Sequence, residues 1–131
     1  MTTRQQRLKK LVAVQEQLKA LHETRRATLL AEAHAAEAEA CALAERFDEP
    51  NSLSGLFPDL YNRRIAGAVQ RQQQSLDDAR REAGLVAAAT ARANMVERAY
   101  KEVSRRDERE RSDRDRLDLI ANRRPSGQDA S

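Results

Sequence analysis

The sequence predicts an all-α fold: a two-helix antiparallel coiled-coil hairpin with an overhanging C-terminal helix. Between Thr3 and Arg124, only residues 49–59 cannot continue a helix, because Pro50 and Pro58 disrupt it and the intervening residues favour turns. Apolar residues recur at steps of three and four on both sides of this stretch. Charged residues make up 34% of the chain and aromatic residues 3%, which is typical of exposed helices with a narrow apolar seam.

The first helix is expected from about residue 3 to residue 48. Its apolar positions form the seam of a coiled coil, interrupted at Arg25. Successive steps of four from Leu21 to Ala33 predict a stutter that unwinds the supercoil locally. The predicted seam comprises Leu11, Val14, Leu18, Leu21, Leu29, Ala33, Ala36, Ala40, Leu43 and Phe47.

The second helix is expected from about residue 58 to residue 124, after a turn at 49–58. Proline is favoured at the first helical position, and Asp59 places a negative charge in the first turn. The predicted seam comprises Tyr61, Ile65, Ala68, Gln72, Leu76, Ala79, Ala83, Val86, Thr90, Ala93, Val96, Tyr100 and Val103. Residues 1–124 then form a single hairpin domain, and residues 125–131 are expected to be a disordered tail.

The two helices are unequal in length. If the hairpin axis lies midway along the turn, equal helical rise pairs residues whose numbers add up to about 107, which places Arg25 opposite Glu82. The second helix then overhangs by about 18 residues, or about 27 Å. Its first part is almost wholly charged, whereas its end carries Leu117, Ile120 and Ala121. This overhang is either a docking surface or a frayed end.

The residues argue against catalysis and metal binding. His34 and Cys41 share a helix face but lie about 10.5 Å apart, too far for one metal ion, and His22 has no second histidine at helical zinc spacing. We expect surface histidines and a small buried thiol. The glycines are scattered, so no phosphate-binding loop is expected. The prediction is a protein with no catalytic residues, cofactor or metal.

The charge and hydropathy of the chain limit the classes of partner that it is expected to bind. The net charge is +3 and the pI about 9.4, but Arg105–Arg116 alternates arginines with acids that would repel phosphate, so no nucleic-acid binding is expected. Residues 1–30 are basic and residues 31–50 are acidic. These two segments either bind different partners or only keep the exposed helix faces solvated. A single cysteine and the lack of a long apolar run predict a cytoplasmic protein without direct membrane insertion.

Three of the four aromatic residues cluster around the predicted turn. Phe47, Phe57 and Tyr61 lie close in sequence to Leu53, Leu56 and Leu60. This cluster either plugs the open end of the seam or offers an apolar tip to a partner. Both roles are compatible, because two helices cannot cover six large apolar side chains completely.

The pattern resembles the flagellar FliJ family. The resemblance rests on a basic N-terminus at Arg7-Leu8-Lys9-Lys10-Leu11, an alanine- and glutamate-rich first helix, a turn, and a C-terminal stretch from Arg114 to Arg124. Its most specific part is Leu117-Asp118-Leu119-Ile120-Ala121 followed by Arg123-Arg124, although Leu119 stands where an acid is common in the family. FliJ proteins are related in design to the stalk proteins of virulence-type secretion systems.

The resemblance implies a stalk that enters the hexameric ring of the flagellar export ATPase, promotes ring assembly and links the ring to the membrane export gate while handling export chaperones. It also implies peripheral association with the inner membrane. The ring-binding residues would be Arg105, Arg109, Arg111, Arg114, Leu117 and Ile120. The gate-binding residues would be Phe47, Phe57, Leu60 and Tyr61. The alternative is a generic scaffolding or dimerising coiled coil, and self-association stays open in either case.

Overall fold

The computed structural model of the chain describes residues 3–123. It contains a helix α1 at Thr3–Asp48, a 3-10 turn at Leu53–Gly55 and a helix α2 at Pro58–Asn122. The described residues contain no strand, and the two long helices pack against each other. The predicted all-α helical hairpin is therefore confirmed. The tail predicted at 125–131 lies outside the described residues.

The turn is held by a short network of serine hydrogen bonds. Ser52 caps the 3-10 turn, its side chain accepting from the backbone N–H of Ser54 at 3.4 Å. The Ser54 hydroxyl is buried and donates to the backbone carbonyl of Phe47 at 2.9 Å. This bond provides a donor for a carbonyl in the last turn of α1, because carbonyls at the end of a helix have no intrahelical N–H partner. α2 then begins at Pro58, with Asp59 in its first turn.

The chain divides into two compact units, each built from one segment of α1 and one of α2. Of the described residues, the first comprises 3–15 and 91–123 and the second 16–90. The buried apolar residues of the second unit are mostly small: Ala33, Ala36, Leu43, Ala68, Ala79 and Ala89. Those of the first unit are Ala93 and Val103. An alanine-rich core lets helix backbones approach each other closely.

The α1 seam differs from the predicted one before residue 29. The predicted seam residues Leu11, Val14, Leu18 and Leu21 are 37–47% exposed. The buried and half-buried positions lie elsewhere in this part of α1: Gln5, Leu8, Val12, Gln15, Lys19 and His22. With the exposed Arg26 between His22 and Leu29, these positions lie on the same alternating steps of three and four that Ala33 and Ala36 follow, so the predicted stutter is wrong. An unbroken heptad phase keeps one seam facing the partner helix, even where that seam is polar.

Contacts between the helices fix the register of each unit. In the second unit, His22 Nδ1 lies 2.6 Å from Glu82 Oε2, and Arg71 donates to Glu39 at 2.9 Å. In the first unit, Gln5 Nε2 donates to Ser104 Oγ at 3.3 Å. These pairs fall within about three residues of the predicted register, as equal helical rise requires. The predicted partner of Glu82 is nevertheless wrong, because His22 occupies that place and Arg25 is exposed.

Candidate interaction surfaces

The arm, defined here as residues 107–122 of α2, extends past the start of α1 in the first unit. Gln5 is level with Ser104, and the described part of α1 begins at Thr3. Beyond about residue 106, α2 therefore has no described segment of α1 beside it. The arm is about 24 Å long at the rise of an α-helix. Every residue from Glu108 to Asn122 is exposed.

The arm carries five of the six residues predicted to bind an ATPase ring. Arg109, Arg111 and Arg114 alternate with acidic residues along its charged part, and all three are exposed. Leu117 and Ile120 are 65% and 63% exposed and lie one turn apart, so they share a helix face. The sixth residue, Arg105, lies just before the arm and donates from Nε to the backbone carbonyl of Lys101 at 3.4 Å. The arm thus presents a charged stretch followed by an apolar end.

A helix with no apolar side to bury must be stabilised by its own side chains. Just before the arm, Arg106 donates to Glu102 at 3.0 Å, and Lys101 lies 3.5 Å from Glu97. Both pairs are four residues apart, a spacing worth about 0.2–0.5 kcal/mol per pair. Acids and bases recur at three- and four-residue spacing along the arm itself. This pattern favours a helix that stays extended and exposed.

The tip, defined as Phe47, Leu53, Leu56, Phe57, Leu60 and Tyr61, belongs to the second unit. The rings of Phe47 and Tyr61 meet edge to face, with centroids 6.4 Å apart and planes at 62°. This pair bridges the end of α1 and the start of α2. Phe57 and Leu56 are 54% and 73% exposed, and Leu60 is also exposed. One aromatic pair therefore joins the two helices at the turn, while Leu53, Leu56, Phe57 and Leu60 are exposed.

The two roles predicted for the tip, a plug and a docking surface, stay predictions. Phe47 and Tyr61 pack on each other, as a plug requires. Phe57 immediately precedes α2, and Leu60 lies in the first turn of α2; about half of the surface of each residue is exposed. The backbone N–H of Phe57 donates to the Leu53 carbonyl at 3.0 Å, which fixes where the exposed ring emerges. Hydrogen bonds within the turn thus fix the backbone positions of the exposed residues.

A groove runs between the helices of the second unit. It is lined on α1 by Leu29, Glu32, Ala35, Ala36 and Glu39, and on α2 by Arg71, Gln74, Ser75 and Asp78. Arg71 spans the groove to Glu39. Asp78 accepts from Gln74 at 3.1 Å and pairs with Arg81 at 2.9 Å. This groove was not predicted from the sequence, because the acidic segment at residues 31–50 does not by itself indicate which acids share a helix face.

The histidines and the cysteine do not form a metal site. Within residues 3–123, no group of three histidine, cysteine or acidic side chains could hold a metal ion. His34 is exposed, as predicted, but His22 is half-buried in the seam. Cys41 is exposed, so the predicted buried thiol is wrong. The heptad phase explains this exposure, since Cys41 follows the seam position Ala40 and points away from α2.

No helix within the described part of the chain is both long enough and apolar enough to cross a membrane.

Comparisons of the chain with models of protein families, with curated proteins and with solved structures find no match.

Proposed function

We propose that the chain is a cytoplasmic, non-enzymatic component of the flagellar (type III) protein export apparatus. It acts as a stalk-like coiled coil that binds the export ATPase ring and couples it to the export gate and the export chaperones. Through these partners it associates peripherally with the inner membrane. The observation that carries the proposal is the exposed arm of α2, which continues past α1 with charged residues and ends in apolar ones.

The arm has the chemistry needed to enter a ring of ATPase subunits. Arg109, Arg111 and Arg114 offer donors that pair in a bidentate manner with carboxylates lining a channel. Leu117 and Ile120 then supply an apolar contact for the end of the arm. Because acids alternate with the arginines, the net charge of the arm is small. Binding of the arm therefore does not depend on long-range attraction by charge of a single sign. This mixed surface favours a protein partner over nucleic acid.

The tip provides a second contact, directed at the export gate. Phe57 and Leu60 are exposed on a turn that backbone and serine hydrogen bonds hold in place. An ordered apolar surface loses little conformational entropy when a partner covers it. Phe47 and Tyr61 pack edge to face and join the end of α1 to the start of α2. The proposed coupling therefore uses two separate surfaces, the arm and the tip.

Co-purification with the hexameric export ATPase of the same organism tests the proposal. The full chain is expected to bind the ATPase, and the double variant Arg109→Glu with Arg114→Glu is expected to lose that binding. Its matched control is Arg63→Glu with Arg64→Glu, which reverses two exposed charges in the second unit and should leave binding intact.

A truncation at the arm provides an independent test. A chain ending at Asp107 keeps Val103, which is buried, and Ser104, which bonds Gln5, but removes the exposed part of the arm. It should remain helical and fail to bind the ATPase. Full binding by this truncated chain would contradict the role given to the arm.

The second candidate is a scaffolding coiled coil that works by self-association. The observation that favours it is the exposure of Leu18, Leu21 and Leu85, all outside the seam. This function predicts concentration-dependent assembly and no binding to the export ATPase. The co-purification experiment therefore separates the two candidates.

A further inference from the structure

In the second unit, α1 carries two heptad stripes that differ by one residue. Lys19 and His22 lie half-buried in the seam, whereas Leu18 and Leu21, called here the leucine stripe, are 37% and 44% exposed. Each leucine comes one position before a seam residue, which corresponds to a rotation of about 100° around the helix and a rise of about 1.5 Å. At this level, α2 therefore covers the polar residues of α1 and leaves the leucines in solvent.

The facing part of α2 suits leucine better than it suits lysine or histidine. Close to Glu82 along α2, the covered residues include Ala79, Val86 and Ala89, and the two alanines are each 3% exposed. Among the residues that the structure describes, the Lys19 ammonium has no hydrogen bond or ion pair. The bond to Glu82, at 2.6 Å, is thus what holds the polar stripe of α1 against an otherwise apolar face.

The join between this segment and the rest of α1 has the same chemistry for either stripe. In the structure the seam runs from His22 through Arg26 to Leu29. The leucine stripe leads from Leu21 through Arg25 to Leu29 by two steps of four, which requires only local unwinding of the supercoil. Both arginines are exposed. A change of stripe therefore places an arginine at the join in either case and leaves the seam from residue 29 onward unchanged.

The first unit, taken by itself, shows the same offset of one residue. Gln15 lies in the seam, and its Oε1 atom is buried without a hydrogen-bond partner among the described residues. Val14, one position earlier, is 47% exposed. A buried polar atom without a partner disfavours the arrangement that buries it. The polar seam of α1 is thus poorly satisfied in this unit as well.

We propose that residues 16–26 of α1 have a second heptad phase, in which the leucine stripe replaces Lys19 and His22 against α2. The segment reaches this phase by rotating about 100° around its own axis. The described phase is the more populated one, because it keeps the hydrogen bond between His22 and Glu82. The second phase loses that bond and gains apolar contact with the alanines and valine of α2.

The two phases present different chemistry to solvent. The described phase exposes the leucine stripe and covers Lys19 and His22, and the second phase does the reverse. A partner that covers the leucines stabilises the described phase, whereas an anionic partner that binds the lysine and histidine stabilises the second. The segment is therefore a conformational switch whose position depends on what is bound to the second unit.

The inference goes beyond the proposed stalk function and does not rest on it. No residue of the arm or of the tip takes part in the change of phase. Failure of the switch and failure of ATPase binding are therefore distinguishable.

Cross-linking of paired cysteines measures the phase. In a Cys41→Ser background, which removes the exposed native thiol, Glu82→Cys is combined in turn with His22→Cys, Leu21→Cys or Glu23→Cys, and a short thiol-specific cross-linker is added. Positions 21 and 23 lie about 100° on either side of position 22, so fluctuation of a single phase should link both at similar rates. We expect the pair at 22 to link fastest, and the pair at 21 to link at least about tenfold faster than the pair at 23.

A neutral change in the leucine stripe separates a second phase from a fixed asymmetry of the helix pair. Leu18→Gln should slow the pair at position 21 by about tenfold, because it removes an apolar contact that only the second phase makes. The matched control is Leu85→Gln, which alters an α2 leucine that is 46% exposed and should leave both rates unchanged. Equal rates at positions 21 and 23, or a rate at 21 that Leu18→Gln does not change, would overturn the proposal.

Modification of a single thiol tests the switch without any change in α2. The His22 side chain is only 16% exposed in the described phase, so His22→Cys in the Cys41→Ser background should react with a maleimide mainly through the second phase. Adding Leu18→Gln should slow this reaction by about tenfold. Opening of a single phase predicts instead that Leu18→Gln leaves the reaction unchanged or speeds it, and either result would contradict the switch. This measurement stands even if the paired cysteine variants lose helicity.

Discussion

Replacing His22 and Glu82, singly and together, tests how the polar part of the seam is held. His22 Nδ1 and Glu82 Oε2 lie 2.6 Å apart, and both side chains are only 16% exposed. A hydrogen bond to a charged group contributes about 1.5–3 kcal/mol net when it is well shielded. Residual exposure lowers this value, so a coupling energy of about 1–2 kcal/mol is expected.

Each single substitution should cost more than an exposed one. His22→Ala leaves the Glu82 carboxylate in a mostly covered position without its donor, which costs about 1–3 kcal/mol. Glu82→Ala leaves the imidazole without its acceptor. Once either residue is absent, removing the other should cost much less, because there is no bond left to break. This non-additivity gives the coupling energy.

Urea unfolding followed by far-ultraviolet circular dichroism, at fixed pH and ionic strength, measures the four variants of the cycle. A second cycle with Arg25→Ala and Glu82→Ala is the control, since the sequence alone suggested that pair and Arg25 is exposed. Its coupling should be below about 0.5 kcal/mol. A larger coupling for Arg25 than for His22 would refute the heptad phase described here, because it would place a different residue of α1 against α2.

Three further substitutions test the packing of the helices and the turn, each by chemical unfolding. Ala68→Leu should destabilise the fold by about 1–3 kcal/mol, since Ala68 is 0% exposed and a larger side chain must push the helices apart. The control is Ala66→Leu on the exposed side of the same helix, which should change stability by less than about 0.5 kcal/mol. Gln15→Leu should stabilise by about 1 kcal/mol, because within the described residues the Gln15 Oε1 atom is buried without a hydrogen-bond partner; a loss of stability would show that this atom is satisfied in solution. Ser54→Ala should cost about 1 kcal/mol, because it removes the donor to the end of α1, and an unchanged unfolding curve would show that the turn does not depend on this bond.

The hairpin was predictable because its signals are local. Prolines at both ends of residues 49–59 remove amide donors, and nothing comparable interrupts the flanking residues. The α2 seam was also largely predictable, since Ala68, Ala79, Ala93 and Val103 are both the expected and the buried residues. These positions keep one heptad phase over their whole length, so periodicity alone identifies them.

The first half of α1 was not predictable from hydrophobicity. Leu11, Val14, Leu18 and Leu21 form the stronger apolar stripe, yet they are exposed. A signal for the true seam existed: extending the spacing of Ala33 and Ala36 backward in unbroken heptads leads to His22, Lys19 and Gln15. Because these residues are polar, hydrophobicity alone did not indicate the heptad phase of α1. Within the second unit, Lys19 and His22 are half-buried in the same heptad phase as the buried Ala33 and Ala36.

The candidate surfaces were predictable to different degrees. The overhang of the arm followed from unequal helix lengths, and its position beyond the Gln5–Ser104 contact agrees with that estimate. The groove was not predictable, since it depends on which residues of α1 and α2 share a face, and that depends on the heptad phase. Residues on the arm and the tip keep their proposed roles as predictions.

Sedimentation velocity of the export ATPase with and without this chain tests whether the chain acts as a stalk of the ATPase ring. The full chain is expected to shift the ATPase toward its hexamer and to sediment with it. Arg109→Glu with Arg114→Glu should abolish both effects, whereas Arg63→Glu with Arg64→Glu should not. An ATPase whose assembly is unchanged by the full chain, with no co-sedimentation, would contradict the stalk function.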